Sequence, residues 1–251
     1  MVVNRKSLWR RAESASILSQ NEVHVWRASL DCGDETLDRL GSLLSEDEWQ
    51  RARRFYFDRD RRHFIAARGL LRTLLARYLG WDPSLLAFGY TDKGKPSLVT
   101  TSPGGLLQFN LSHSYGRVLY ALTLGREVGV DLEYLRLVKV DALAQRFFSD
   151  REAAAIAEEP ETEKQTLFFK LWTAKEAYLK ATGEGLAGLS RVELEVTGDR
   201  QVRLKQIANN PYLTSLWSLY CLDPEDGYLG AIAVRGDRLE LSCWEFDGNF
   251  R

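Results

Sequence analysis

Two carboxylates in the middle of the chain have the type and spacing for chemistry. Residues 128–133, VGVDLE, read as a strand, so Asp131 and Glu133 project to one face while Val130 and Leu132 project to the other. Carboxylates about 6–7 Å apart on one strand face repel each other unless a cation lies between them. Two interpretations follow: a pair of salt bridges to nearby arginines, or a site for Mg²⁺, which binds carboxylate oxygens, waters and substrate phosphates.

A second candidate pair, Glu176 and Lys180, lies one turn apart on a predicted helix. Residues 168–180 are rich in Ala, Leu, Lys and Glu, and Gly183 and Gly185 follow as a stop signal. Two stripes run along this helix, one with Phe169, Trp172, Glu176 and Lys180 and a core-facing one with Phe168, Leu171, Tyr178 and Leu179. Alone, the ionisable pair fits a surface ion pair worth about 0.2–0.5 kcal/mol equally well.

Composition sets the class of protein. The 251 residues are 45% hydrophobic and 27% charged, which is typical of one large or two small globular domains. The net charge of −1 means that any basic binding site must be local. Cys32, Cys221 and Cys243 are far apart and lack metal-type spacing, so we expect free thiols in a reducing compartment. The three scattered histidines argue against a zinc site.

The sequence gives no membrane or secretory signal. No apolar run approaches the ~20 residues of a membrane helix. Residues 1–11 are basic, but no apolar core region follows them. We therefore expect a cytoplasmic protein with no membrane partner.

A basic region lies in the first half of the chain. Residues 51–77 contain nine arginines against two acids. Residues 60–79 form a predicted long helix whose core face would hold Phe64, Ala67, Leu71, Leu74, Leu75 and Tyr78. Arg61, Arg68 and Arg72 share another stripe, which fits a solvated face or a surface for phosphate or an acidic partner. The excess of arginine favours the second interpretation, because guanidinium groups match phosphate oxygens.

Two short polar motifs lie between these regions. The turn at residues 92–96, DKGKP, is not a Walker loop, because its glycine spacing is too short and Pro96 follows Lys95. Ser112 and His113 are neighbours on an extended chain and face opposite sides, so they do not form a nucleophile and its base. With no G-x-S-x-G elbow either, a hydrolase is disfavoured, and a polar turn that donates hydrogen bonds to an anion is preferred.

The remaining pattern divides into two similar halves. Capping boxes at residues 45–48 and 149–152 predict helix starts, and residues 102–105 predict a turn. Strands are predicted over residues 22–30, 85–90, 106–111, 118–124, 192–196, 202–205, 216–222, 228–234 and 239–245, the last one or two as extra edge strands. Each half therefore has several strands and one long amphipathic helix.

These motifs, in this order, resemble the Sfp-type 4′-phosphopantetheinyl transferases. The matching residues are 53–55 (RRF), 94–96 (GKP), 109–114 (FNLSHS), 129–133 (GVDLE) and 172–180 (WTAKEAYLK). The ordered set is far more specific than either acidic motif alone, and the similarity extends over most of the chain.

The resemblance implies an α+β (α/β) fold of two pseudo-symmetric halves, residues 1–125 and 126–251, each a small antiparallel sheet packed on a long helix. Coenzyme A would bind in the cleft between the halves. The implied enzyme moves the 4′-phosphopantetheine arm of coenzyme A to a serine of an apo acyl- or peptidyl-carrier protein. It releases adenosine 3′,5′-bisphosphate.

The resemblance also implies roles for individual residues. Asp131, Glu133 and Glu176 would hold Mg²⁺, with Mn²⁺ as an open alternative. Glu176 and Lys180 would be catalytic: Glu176, or a metal-bound water that it orients, would take the proton of the attacking serine. Lys180 would contact the pyrophosphate and stabilise the leaving oxygen. Asp131 and Lys180 would thereby also contact coenzyme A.

Further contacts with coenzyme A are implied for Arg51, Lys95, Ser112 and His113. Glu48 departs from the family pattern, which has a basic residue at this position. Three nearby arginines are candidates to supply the missing positive charge: Arg53, Arg54 and Arg68.

Three other residues of the second half have open roles. Glu152 matches a family acid that is sometimes given a base role, and an N-terminal helix cap is an equally good interpretation. Lys175 projects about 100° away from Glu176 around the helix, so we expect a structural role or a surface ion pair. We expect Trp172 to be a packing anchor.

Two other functions stay open on the sequence. One is a catalytically idle module of the same fold that binds coenzyme A or a carrier protein, against which the intact carboxylates and Lys180 argue. The other is a Mg²⁺-dependent nuclease or nucleotide-processing enzyme, disfavoured by the lack of a further acidic cluster. The favoured prediction is a monomer that meets an acidic carrier protein near residues 51–72 and binds no nucleic acid. Which carrier protein it serves is not indicated.

Overall fold

The computed structural model describes residues 9–11, 17–99, 106–197 and 201–246, and the predicted turn at 102–105 lies outside them. The helices in these ranges are α1 Asp34–Gly41, α2 Glu46–Ala52, α3 Asp58–Leu79, α4 Val140–Phe147, α5 Asp150–Ala157 and α6 Glu161–Thr182. The strands are β1 Trp9–Arg11, β2 Glu22–Ser29, β3 Phe88–Tyr90, β4 Pro96–Leu98, β5 Leu107–Ser114, β6 Arg117–Leu124, β7 Val128–Tyr134, β8 Val192–Val196, β9 Val202–Ile207, β10 Trp217–Leu222, β11 Tyr228–Arg235 and β12 Glu240–Glu245.

The two predicted long helices are both present and begin earlier than predicted. α3 starts at Asp58 and α6 at Glu161, and each carries acidic residues in its first turn, where they stabilise the positive end of the helix dipole. Each helix ends at a glycine with positive φ, Gly80 and Gly183. None of the helices in the described ranges combines the length and apolar content of a membrane span.

The first sheet has the strand order β1-β12-β2-β6-β5. β2, β6 and β5 are antiparallel neighbours, and α3 covers one face of them, with Trp26, Leu71, Leu74 and Tyr120 in a shared core. β12 and β1 extend the sheet as parallel strands beside β2. The predicted strand over 239–245 is therefore confirmed, but its placement at an edge is wrong, because β12 lies between β1 and β2. The division of the chain at residues 125 and 126 stays a prediction.

The second sheet has the order β10-β11-β7 and is antiparallel throughout. α6 packs on one of its faces and shares a core with Leu229, Ala231 and Ala233 of β11. β7 is the edge strand of this sheet, and β8 and β9 form a separate hairpin.

Alternate residues of the two sheets form a third core between them. Val25 and Leu119 of the first sheet and Val130 and Ile232 of the second belong to one buried cluster. Because successive side chains of a strand point to opposite faces, α3 and α6 lie on the outer faces of the two sheets. The predicted α+β architecture of small sheets packed on long helices is confirmed. The prediction of two antiparallel sheets holds for the second sheet and is wrong for the first, because β12 and β1 join it as parallel strands.

The predicted arginine stripe of α3 is not a single surface. Arg61 is exposed and pairs with Asp58, whereas Arg72 is 1% exposed. Arg72 Nε donates to Glu48 at 2.7 Å, and its Nη1 donates to two backbone carbonyls. Arg68 is also buried, with Nε 3.3 Å from Glu48. The interpretation as a phosphate or partner surface is therefore wrong for Arg68 and Arg72, whose guanidinium groups are buried beside Glu48 inside the first half.

The second half contains the same arrangement. Glu152 completes the predicted capping box, with Ser149 N donating to Glu152 Oε2 at 2.8 Å, and Lys175 of α6 donates to the same oxygen at 2.7 Å. The pairs Glu48–Arg72 and Glu152–Lys175 each join the cap of a short helix to the long helix of their half, and all four side chains are at most 2% exposed. This correspondence supports the pseudo-symmetry of the halves.

α6 packs directly against β7 at Gly129. A Cβ at this position would overlap the carbonyl oxygen of Ala177 and the backbone nitrogen of Ala181. Glycine is required here because the backbones of a helix and a strand approach each other with no side chain between them. The contact brings the ionisable stripe of α6 to the strand that carries Asp131.

Gly129→Ala is expected to lower the free energy of unfolding by about 3 kcal/mol, because α6 must move away from β7 to admit the methyl group. Urea denaturation followed by circular dichroism measures the change. Gly33→Ala is the matched control: a Cβ at Gly33 meets no atom within 4 Å, and we expect a loss of no more than about 1 kcal/mol, the cost of alanine at the N-cap of α1. Equal losses in the two variants would contradict the packing argument.

Candidate active site

Polar side chains of β5 cover the exposed edge of β7. Val130 N donates to Asn110 Oδ1 at 2.9 Å, and Tyr134 N donates to Ser114 Oγ at 3.2 Å. The predicted polar turn at these positions is therefore the end of β5, with Asn110, Ser112 and Ser114 facing β7. No role is predicted for Asn110 from the sequence, although the alternation of apolar and polar residues in FNLSHS indicates a polar strand face that includes it.

Asp131, Lys180 and Ser112 form a closed triangle of hydrogen bonds. Lys180 Nζ lies 2.6 Å from Asp131 Oδ1 and 2.8 Å from Ser112 Oγ, and Ser112 Oγ lies 2.9 Å from the same Asp131 oxygen. Asp131 and Ser112 are buried, whereas the Lys180 side chain is 30% exposed. His113 is exposed, so Ser112 and His113 do face opposite sides as the strand pattern predicts.

Glu176 lies beside this triangle and has a perturbed acidity. Burial, followed by the negative charges of Asp131 and Glu133, raises the pKa of Glu176 to about 6, and the positive charge of Lys180 opposes this shift. One carboxylate oxygen of Glu176 and one of Asp131 are buried without a hydrogen-bond partner. Buried polar atoms of this kind call for a donor or a cation. The donor set therefore fits a hard cation such as Mg²⁺.

Glu133 makes a salt bridge at the end of β7. Its Oε2 lies 2.9 Å from Arg136 Nη1, so the salt-bridge interpretation of the carboxylate pair holds for Glu133, while Lys180 is the cation beside Asp131. Within the described ranges, no group of three histidine, cysteine or carboxylate side chains is close enough together to hold a metal ion. The assignment of Mg²⁺ to Asp131, Glu133 and Glu176 stays a prediction.

A cavity of about 220 Å³ opens beside Glu176. Both halves line it, with Lys93, Lys95 and Asn110 from the first and Glu176, Lys180 and Gly183 from the second. A cleft between the halves, next to the ionisable cluster, is the arrangement that the family resemblance implies for a coenzyme A site.

Lys95 is half-buried, and its ammonium group is bound by the protein itself. Nζ donates to the carbonyl oxygens of Val128 at 3.1 Å and Ala181 at 2.8 Å. Burial lowers the pKa of Lys95 to about 8, and the negative charge of Glu127 opposes this shift. The predicted contact of Lys95 with a coenzyme A phosphate stays a prediction.

Arg51 and Arg68, basic residues that the family resemblance offers for contact with coenzyme A, lie on the first half. Arg51 is exposed, and its guanidinium group lies 5.5 Å and 5.9 Å from the ring centroids of Phe64 and Tyr90. Arg68 donates to the Tyr90 hydroxyl at 3.0 Å. Glu48, the departure from the basic family pattern, is buried against Arg68, so its negative charge does not face the cleft.

Both carboxylate oxygens of Glu152 accept hydrogen bonds from structural donors. Besides Ser149 N and Lys175 Nζ on Oε2, Leu194 N donates to Oε1 at 2.8 Å. The capping role is therefore confirmed, and both oxygens are occupied, which opposes a base role. Lys175 is structural and buried, so a surface ion pair is wrong for it. Trp172 packs against three phenylalanine rings, as expected for an anchor.

Comparison with known proteins identifies the family. A model of the 4′-phosphopantetheinyl transferase superfamily matches residues 127–233, and a model of the N-terminal part of 4′-phosphopantetheinyl transferases matches residues 26–123. The 4′-phosphopantetheinyl transferase HetI of Nostoc sp. is 42% identical over 230 residues, which cover 91% of this chain and 94% of that protein. The chain belongs to the 4′-phosphopantetheinyl transferase family.

Other phosphopantetheinyl transferases are similar over shorter stretches. The transferase Sfp of Bacillus subtilis is 28% identical over 172 residues, which cover 68% of this chain and 75% of that protein. A solved ACPS–CoA complex of Chronobacterium ammoniagenes has a TM-score of 0.32 at 20% identity, covering 45% of this chain and 98% of that chain. The resemblance predicted from the motifs is thus confirmed by the two family models and by HetI.

Glu152→Ala is expected to lower the free energy of unfolding by about 3–5 kcal/mol, because it leaves the Lys175 ammonium buried without its partner. Chemical denaturation measures the loss. Glu46→Ala removes an acid that pairs with Arg53 on the surface, where both side chains are more than 60% exposed, and it should cost no more than about 1 kcal/mol. A small effect of Glu152→Ala would show that the pair is not buried as described.

Glu176→Gln is expected to stabilise the metal-free protein at high pH. The folded-state pKa of about 6 lies above the ordinary value of 4.5, so the unprotonated carboxylate destabilises the fold as the pH rises through 6. The stability gain of the variant should therefore be larger at pH 8 than at pH 5, by at most about 1 kcal/mol, because solvent screens this partly exposed carboxylate.

Urea denaturation in the presence of EDTA at both pH values measures this difference. Glu35→Gln, a substitution on the exposed surface of α1, is the matched control. A gain from Glu176→Gln that does not change with pH would contradict the raised pKa.

Proposed function

We propose that this phosphopantetheinyl transferase moves the 4′-phosphopantetheine arm of coenzyme A to a serine of an apo acyl- or peptidyl-carrier protein. The serine Oγ–P bond forms as the P–O bond of the pyrophosphate breaks, and adenosine 3′,5′-bisphosphate leaves. The observation that carries the proposal is the meeting of Glu176, Asp131 and Lys180 beside a cavity lined by both halves. Phosphoryl transfer of this kind depends on positioned charges and a base.

Glu176 is suited to accept the serine proton. With a pKa of about 6 it is mostly ionised at neutral pH and is a stronger base than an ordinary glutamate. One carboxylate oxygen of Glu176 is buried without a hydrogen-bond partner, and the other would take the serine proton directly or through a water that it orients. In this proposal the proton moves from the serine Oγ to Glu176 as Oγ approaches the phosphorus.

Lys180 is suited to stabilise the leaving group. Its ammonium is the cation of the cluster and is partly exposed toward the cavity. Asp131 and Ser112 orient it through hydrogen bonds of 2.6 Å and 2.8 Å. A positive charge held in advance at the bridging oxygen lowers the barrier without reorganisation during the reaction.

Asp131, Glu133 and Glu176 would hold Mg²⁺, or Mn²⁺ in its place. The unpartnered oxygens of Asp131 and Glu176 support this assignment, and Glu133 would exchange its salt bridge with Arg136 for the metal. Such an ion supplies charge neutralisation on the pyrophosphate when it is bound.

The first half would supply the remaining contacts with coenzyme A. Arg51 and His113 are exposed and able to reach a phosphate, and Ser112 would act from beside Lys180. The direct phosphate contact predicted for Lys95 competes with the internal bonds that its ammonium already makes. An acidic carrier protein would meet the exposed arginines of this region, among them Arg51, Arg53, Arg54 and Arg61.

We also propose that the enzyme acts as a monomer in the cytoplasm. One chain supplies both walls of the cavity, so no second copy is needed to complete the site. Cys32, Cys221 and Cys243 form no disulfide bond, which is compatible with a reducing compartment. We propose no nucleic-acid or membrane partner.

The test is incubation of apo-carrier proteins with coenzyme A and Mg²⁺, followed by mass spectrometry of the carrier. We expect a mass gain of one phosphopantetheine arm and equimolar adenosine 3′,5′-bisphosphate. Glu176→Gln should lower kcat by about 10²–10⁴-fold, the usual contribution of a general base. The exposed Glu35→Gln is the matched control and should keep the gain.

Absence of a mass gain across fatty-acid, polyketide and peptide carriers would overturn the proposal. Binding of coenzyme A without transfer would then indicate an idle module. Hydrolysis of a nucleotide without a carrier would indicate a nucleotide-processing enzyme.

A further inference from the structure

Lys95 is held on a stiff turn between β3 and β4. Thr91 N donates to Lys95 O at 3.0 Å, Lys95 N donates to Thr91 Oγ1 at 3.1 Å, and Gly94 N donates to Thr91 O at 2.8 Å. Gly94 has a φ of +80°, which a side chain would strain. The backbone at Lys95 is therefore held in place by the first half. The ammonium group of Lys95 reaches from this turn to residues of the second half.

The two acceptors of Lys95 belong to different elements of the second half. Val128 O is in the first residue of β7, and Ala181 O is in the last turn of α6. Carbonyls in the last turn of a helix lack partners within the helix and carry the negative end of its dipole, so a lysine is a favourable cap for them. Lys95 caps α6 from outside and binds it to β7 at the same time.

These bonds lie at the closest approach of α6 and β7. Val128 precedes Gly129, the residue on which α6 packs, and Ala181 contacts Gly129 directly. Ala181 also follows Lys180, whose ammonium meets Asp131 at 2.6 Å. A shift of the last turn of α6 relative to β7 would therefore move Lys180 away from Asp131.

We propose that Lys95 is a positioning residue, which clamps the last turn of α6 to β7 and thereby holds Lys180 opposite Asp131. The kinetic part of this inference rests on the proposed transferase activity, and the structural part does not. If Lys95 contacted a phosphate directly, the carbonyls of Val128 and Ala181 would lose their donor. The free energy lost in this way would have to be offset by the new contact.

Hydrogen exchange of Lys95→Met tests the clamp without using activity. Methionine keeps the length and the apolar stem of the side chain but donates no hydrogen bond. We expect amides near the end of α6 to exchange about tenfold faster, because the last turn loses a charged cap. Lys93→Met, an exposed lysine of the same loop, is the matched control for loss of charge. Faster exchange confined to Lys95→Met supports the clamp, and unchanged exchange overturns it.

Kinetics then separates positioning from binding. Loss of the clamp should lower kcat by up to about 10²-fold through misplacement of Lys180. The Kd of coenzyme A, measured by calorimetry, should change much less than kcat, because Lys180 acts mainly on the charge that develops at the leaving oxygen in the transition state. A Kd raised tenfold or more with kcat retained at saturating coenzyme A would overturn the proposal in favour of a direct phosphate contact.

Lys95→Arg keeps the inference testable if Lys95→Met folds poorly. Arginine keeps the charge and the donors, so a direct phosphate contact predicts nearly normal coenzyme A affinity and kcat. A clamp predicts a lower kcat at unchanged affinity, because the planar guanidinium does not fit two carbonyls placed for an ammonium. If the wild-type protein transfers nothing to any carrier, the proposed function fails, and hydrogen exchange still decides the clamp.

Discussion

The direct packing of α6 on Gly129 of β7 is the constraint on which the site depends. Helix and strand backbones normally stand apart by the depth of their side chains, and here that spacing is removed at one residue. The removal lets side chains of ordinary length on α6 reach Asp131, which is buried on the strand. A helix one methyl group farther out would hold the same residue types and lose the bond of Lys180 to Asp131.

The side chains of β5 that protect the edge of β7 also form part of the candidate active site. β7 is an edge strand, and two of its outward N–H groups, those of Val130 and Tyr134, donate to Asn110 and Ser114 of β5 and not to another strand. Side chains can bond to the backbone groups along the edge of β7 and still leave space beside the strand, which a paired strand would occupy. Ser112, in the same polar row, reaches Asp131 and Lys180. The junction of the two halves is therefore polar and partly open, and it contains the ionisable side chains of the candidate active site.

Local patterns in the sequence predicted much of the fold and the central residues. Both capping boxes, both long helices and the face shared by Asp131 and Glu133 follow from periodicity and cap chemistry, which act over a few residues. The family motifs then predicted roles for Glu176 and Lys180, which the structure brings to Asp131. What the sequence did not give is which charges pair over long distances. Arg72 has the same local pattern whether it faces water or Glu48, and Lys95 lies 86 positions from the carbonyl of Ala181 that it binds.

The position of β12 has a consequence for how the chain folds during synthesis. β12 lies between β1 and β2, so Arg27 of β2 and Glu245 of β12 meet across 218 positions of sequence. Pairings this distant close large loops and form late. While the ribosome is still making the second half, β2 therefore presents an unpaired edge, which is a template for association with other chains. The sheet of the first half is therefore complete beside β2 only after β12, the last described strand, has been synthesised.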